Sequence, residues 1–96
     1  MKNSQRNPVH PGETLRTEFL EPLNISASEL SQHLQIELSV IQELIAERTR
    51  LTVDLAYRLY FYFDTSPRYW LNLQREYDLA TYSAQENLKK QIQPYP

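Results

Sequence analysis

Two short amphipathic helical stretches, separated by only three residues, constrain this chain more than any other feature. Ser26-Ala-Ser-Glu29 has the form of a capping box, in which the serine oxygen accepts the third amide of a helix and the glutamate returns a bond to the cap. Ala27, Leu30 and Leu34 follow at i, i+3 and i+7, one stripe over about two turns. Gln35-Ile36-Glu37 carries no helix signal of its own, and a second stripe of Ile41, Leu44 and Ile45 then predicts a helix from about Leu38 to Ala46. Helices this short are marginal alone in water, so both must pack on something. Two of them joined by a tight turn read as a helix-turn-helix spanning about residues 26–51.

The flanks supply what they pack on. Pro11 suits a first helical turn, and Leu15, Phe19, Leu20 and Leu23 recur at near-helical spacing, with Pro22 expected to close that helix. Thr52, with Asp54 two residues on, starts a helix whose inner face is Leu55, Ala56, Leu59 and Phe63. Ser66-Pro67 opens another, carrying Trp70, Leu71, Leu73 and Tyr77, and Ser83-Ala-Gln-Glu86 has the form of a second capping box for a last short helix ending before Pro94. No segment alternates with period two and no repeat is visible, so the class is all-α. Ninety-six residues make about one domain. Residues 1–9 read as a flexible arm, 10–80 as the helical domain, and 81–96 as a C-terminal extension of a short helix and tail.

Composition narrows the function classes. There is no cysteine, hence no disulfide and no thiolate chemistry. No apolar run approaches the roughly 20 residues of a membrane span, and MKNSQRNPVHP lacks the apolar stretch of a signal peptide; a cytoplasmic protein without membrane contact is expected. No nucleophile with a base, phosphate loop or metal-ligand cluster is present, which argues against an enzyme and against a cofactor. His10 and Glu13 hint at a metal pair, but the chain has two histidines and no third ligand at a fixed spacing, so no metal site is expected. Ten Lys and Arg against twelve Asp and Glu leave a net charge of −2, so any DNA binding must rely on local basic groups and helix N-termini.

The helix over 38–46 divides as a recognition helix does. Ile41, Leu44 and Ile45 face one way, and Ser39, Gln42, Glu43 and Ala46 the other. Ser39 lies in the first turn, where hydroxyl and free amides reach phosphate or base. Gln42 can bond an adenine edge in bidentate fashion, and Glu43 can accept from cytosine N4. Arg48 and Arg50, just past the helix, are placed to grip phosphates. A plain amphipathic helix with a solvated face gives the same periodicity. Elsewhere, Tyr57, Tyr60, Phe61 and Tyr62 give their helix more aromatic exterior than one face of a monomer buries, which points to a partner as well as to packing by neighbouring helices. Trp70 and Tyr69 suit a core or a dimer interface better than a base-stacking platform, and His33 reads as a surface residue near the turn.

Several ordered motifs carry a resemblance. His10-Pro11-Gly12-Glu13 with Leu15, Phe19-Leu20-Glu21-Pro22-Leu23, Ser26-Ala27-Ser28-Glu29-Leu30, Ala56-Tyr57-Arg58-Leu59, and Ser66 through Gln74 before Tyr77-Asp78-Leu79 resemble the HigA antitoxins. These are lambda-repressor-like helix-turn-helix proteins of the XRE type, also known as virulence-associated protein I. The resemblance covers about residues 9–80. It implies a five-helix domain, here with a short helical extension, forming a homodimer that represses its own operon and neutralises a HigB-like toxin, which cleaves mRNA on the ribosome. By position, the family's DNA-facing residues fall on Ser39, Val40, Gln42, Glu43, Arg48 and Arg50. The double-stranded DNA of the protein's own operator and the toxin are the implied partners.

Two departures stand out. The family commonly has glycine where this chain has Gln35, Glu47 and Asp64, and Gly12 is its only glycine. A backbone that stays left-handed there costs on the order of 1 kcal/mol per non-glycine residue, least for Asp. The second departure is charge. Leu38 and Glu43 replace residues that are often basic, and from residue 26 to residue 50 four glutamates face two arginines. The expectation is weak or strongly sequence-dependent DNA binding, improved by a toxin partner. The alternative is a protein-binding module that neutralises a toxin and has little DNA affinity of its own.

Overall fold

The computed structural model describes residues 8–96. The expected arm at residues 1–9 therefore lies, apart from its last two residues, outside the described residues. Six helices and no strand occur among the described residues. Helix α1 comprises three consecutive pieces, Pro11–Thr14 and Glu21–Leu23 in α geometry with Leu15–Leu20 in π geometry between them. The remaining helices are α2 (Ala27–Leu34), α3 (Leu38–Ile45), α4 (Val53–Phe63), α5 (Pro67–Thr81) and α6 (Gln85–Gln91).

Pro22 does not close α1, as periodicity predicts, but lies inside it. Proline lacks an N–H, and its ring collides with the carbonyl four residues back in a regular α-helix. The preceding turn is widened, so that the Glu21 N–H reaches Arg16 O five residues back, and the chain passes Pro22 without breaking. Asn24, left-handed at φ 58°, ends the helix, with Ile25 N–H donating to Leu20 O at 2.9 Å. Leu23, expected inside, is consequently 56% exposed.

The capping box of α2 forms in full: Glu29 N–H donates to Ser26 Oγ at 3.0 Å and Ser26 N–H to Glu29 Oε1 at 2.9 Å. Gln35, Glu47 and Asp64 all adopt the left-handed conformation, at φ 56°, 63° and 63°. The three turns thus keep the backbone that glycine would favour rather than re-forming around side chains. Thr52 and Ser66 cap α4 and α5 through Leu55 N–H and Arg68 N–H. Ser83-Ala-Gln-Glu86 does not become a capping box. The N-cap of α6 falls on Ala84, with no side-chain bond, and α6 buries none of its residues. With no buried residue in α6 to fix its register, the local signal shifts by one residue.

Helix α1 packs on α3 and α5, α2 on α3 and α4, and α4 on α5. Leu15, Leu30, Ile41, Leu44, Leu59 and Trp70 are fully buried where these helices meet. Trp70 is core rather than interface: its ring lies 5.1 Å from Phe19, and its indole N–H donates to Thr65 Oγ1 at 2.6 Å.

Candidate nucleic-acid interface

Helix α3 packs on α2 and on the segment at residues 11–14. His10 Nδ1 accepts the Gly12 N–H at 2.9 Å, capping α1, and the buried ring packs edge-on against Tyr77 of α5. That bond requires an unprotonated Nδ1. Gly12 then lies against the last turn of α3, so close that any β-carbon would overlap the Leu44 carbonyl. His10, which with Glu13 hints at a metal pair in the sequence, spends its Nδ1 on that cap.

The inner face of α3, Ile41 and Leu44, is fully buried, and Ile45 is partly so. Ser39 and Gln42 are exposed and Val40 is half-buried. Among the described residues no side chain caps the N-terminus of α3 at Glu37, and Ser39 is exposed in its first turn. The outward face expected from periodicity is thus present, with one change in its chemistry.

That change lies in the cations. Arg48 folds back on Glu43 as a bidentate pair, Nε to Oε1 at 3.0 Å and a terminal nitrogen to Oε2 at 2.9 Å. The guanidinium holds the Glu43 carboxyl below the usual carboxylate range, chiefly by these hydrogen bonds. Arg50 meets Asp78 of α5 at 2.9 Å. The hydrogen bond from the Gln74 amide, and then Arg50, hold the Asp78 carboxyl down in the same way. All six residues expected to face DNA therefore lie on or just beyond α3, but three of them, Glu43, Arg48 and Arg50, have partners within the chain.

Two supporting residues escape sequence reasoning. Gln74, only 4% exposed, accepts the Leu51 N–H with Oε1 at 2.7 Å and donates through Nε2 to Asp78 Oδ1 at 2.9 Å. It fastens the α3–α4 loop, which carries Arg50, to α5. Its position four residues after Trp70 puts it on the buried row, and a polar residue there must find partners. Arg58 of α4 donates to the carbonyls of Leu34 and Gln35 at 2.7 and 3.1 Å, closing the C-terminus of α2, and pairs with Asp54 at 2.7 Å. That guanidinium helps hold the turn of the helix-turn-helix, beside Ile36, which packs on the core.

The aromatic exterior of α4 remains open, with Tyr57 48% and Phe61 78% exposed, while Tyr62 stacks on His33 with ring centres 5.0 Å apart. No helix among the described residues is long and apolar enough to cross a membrane.

No protein-family model matches the chain. It is 34% identical over 79 residues to antitoxin HigA-1 of Vibrio cholerae, an alignment covering 82% of this chain and 74% of that protein. The fold overlays the Pseudomonas aeruginosa antitoxin HigA, solved with the higBA promoter, with a TM-score of 0.87 at 38% identity, over 93% of this chain and 99% of the other. It also overlays antitoxin GraA, solved in complex with its operator, with a TM-score of 0.88 at 35% identity, over 100% and 98% of the two chains.

Proposed function

Because the chain belongs to the HigA antitoxin family of helix-turn-helix proteins, we propose that it is the antitoxin of a type II toxin–antitoxin pair, repressing its own operon and neutralising a HigB-like toxin. It binds operator DNA and is not an enzyme. It acts in the cytoplasm as a homodimer, with residues 10–80 as the DNA-binding unit and 81–96 as an extension. The observation that carries this reading is the fixed presentation of α3. Gly12, Gln74 and Arg58 hold the helix and its two flanking turns from three sides, while Ser39 and Gln42 are left exposed.

Within that reading α3 enters the major groove. Gln42 reads an adenine edge, Ser39 and Val40 contact a base edge or phosphate at the first turn, Glu43 accepts from a cytosine amine, and Arg48 and Arg50 take phosphates. A mobility-shift assay with the protein's own promoter, with and without the product of the adjacent toxin reading frame, tests it. A sequence-specific shift abolished by Gln42→Ala is expected, and rescue of cell growth from the toxin by co-expression tests the second half. The Glu43–Arg48 and Arg50–Asp78 pairs are what would favour a purely toxin-neutralising module. Rescue of growth without any promoter shift would establish that reading instead.

A further inference from the structure

Arg48 and Arg50 both face carboxylates, but the two pairs are built differently. Glu43 belongs to α3 itself and moves with it. Asp78 stands on another helix and is aimed: Gln74 holds its Oδ1, Gln74 in turn is fixed by the Leu51 N–H, and Oδ2 is left to meet Arg50 at 2.9 Å. A buried amide thus orients one carboxylate at the arginine that follows the recognition helix. The ion pair itself lies in water, with the Arg50 and Asp78 side chains 66% and 40% exposed. Such pairs are weak and exchange readily, and carboxylate and phosphate offer a guanidinium the same pair of oxygens.

We propose that Asp78 is an affinity-setting residue: an in-chain stand-in for a backbone phosphate, which DNA must displace from Arg50 before that arginine contributes to binding. The proposal rests on the DNA-binding reading above. The displacement penalises every duplex equally, whereas base contacts reward only the operator. Because the same free energy is lost on every duplex, promoter and non-specific affinity fall by the same factor and their ratio is unchanged. Asp78 in this way lowers the overall DNA affinity of a protein whose net charge is already negative.

Fluorescence anisotropy of the full chain tests this with two labelled duplexes of equal length, the protein's own promoter and a scrambled sequence, at low salt. The proteins are wild type, Asp78→Asn, Arg50→Gln and the double variant. Asparagine keeps an oxygen for the Gln74 amide, and Asp78→Ser, which removes the same charge without the amide, serves as the second variant should Asp78→Asn melt early. Asp78→Asn is expected to bind both duplexes about two- to five-fold more tightly. Arg50→Gln is expected to bind more weakly, and the double variant to match Arg50→Gln. Unchanged or weaker binding by Asp78→Asn overturns the proposal, as does an equal gain in the Arg50→Gln background, which would mean bulk charge alone. If the wild type binds its promoter and Asp78→Asn brings no gain, this proposal alone fails. If none of the four proteins binds either duplex, the DNA-binding reading fails and takes the proposal with it.

Discussion

Gly12 of α1 rests directly on the backbone of Leu44 in α3: a β-carbon at Gly12 would overlap the Leu44 carbonyl oxygen and stand 2.7 Å from its carbon. The obstacle is main chain, which cannot rotate aside as a side chain can. Gly12→Ala must therefore part the two helices. The expected cost is about 1–3 kcal/mol, the usual range for overpacking, read as a lowered urea midpoint. DNA affinity should fall as well, since α3 is displaced from the frame that presents it. A wild-type midpoint would show that this contact is not tight.

Gln35 sits at φ 56°, ψ 50°, and only its carbonyl, bonded by Arg58, is tied to another helix. Glycine adopts that conformation without the steric cost borne by a β-carbon and leaves the carbonyl in place. Gln35→Gly is expected to stabilise the fold by about 1 kcal/mol, or roughly 4–8 °C in melting temperature for a domain of this size. A melting temperature equal to or below wild type would contradict the strain argument. Glu47, at φ 63°, offers an independent repeat of the same test.

These positions also show what was legible in the sequence. Resemblance to a family with glycines at Gln35, Glu47 and Asp64 marks these turns as either re-formed or left-handed, with left-handed backbone expected at Gln35, and all three prove left-handed; local signals such as the Ser26–Glu29 box need only neighbours a few residues away. The same logic fails where tertiary contact decides. Ser83 and Glu86 spell a capping box, but α6 has no buried residue to select that register. Pro22 reads as a stop because periodicity cannot anticipate a π turn. At the candidate interface, α3 and its outward residues are visible from spacing, but their electrostatics are not. The partners of Arg50 and of the Leu34 carbonyl lie on helices more than twenty residues away, and no local pattern encodes such pairs.

Gln74→Leu keeps the approximate size of the side chain and removes both hydrogen bonds. It leaves the Leu51 N–H without its partner at a residue only 2% exposed. An orphaned buried amide costs about 1–3 kcal/mol, so a loss of that order in urea unfolding is expected. Stability at or above wild type would mean that the loop is anchored by Leu51 packing alone.

Acid should weaken the fold in a defined window. Asp78 is held below the ordinary aspartate range by the hydrogen bond from Gln74 and then by Arg50, and Glu43 is held down by Arg48. A carboxyl with a depressed folded pKa binds fewer protons folded than unfolded, so its stabilisation is present above the unfolded value and drains as pH falls through the folded one. The urea midpoint should therefore change little between about pH 7 and 5 and decline below about pH 4. Asp78→Asn should show a shallower decline across that window. Equal slopes for the variant and wild type would exclude Asp78 as a contributor.

The recognition surface sets the last expectation. Between residues 26 and 50 four glutamates face two arginines, and both arginines are paired in the free protein. With so little net attraction for phosphates, the protein alone should bind its promoter with a dissociation constant in the micromolar range, tightened when a toxin partner joins. Glu43→Gln separates the two roles this residue can play. Freeing Arg48 raises affinity for any duplex, whereas exchanging a charged acceptor of the cytosine amine for a weaker, neutral amide that can also donate to other bases lowers discrimination between promoter and scrambled DNA. Both changes are expected together in a competition binding assay. A salt-tolerant nanomolar complex formed by the wild type without a partner would refute the charge argument, and unaltered discrimination in Glu43→Gln would confine Glu43 to its pairing with Arg48.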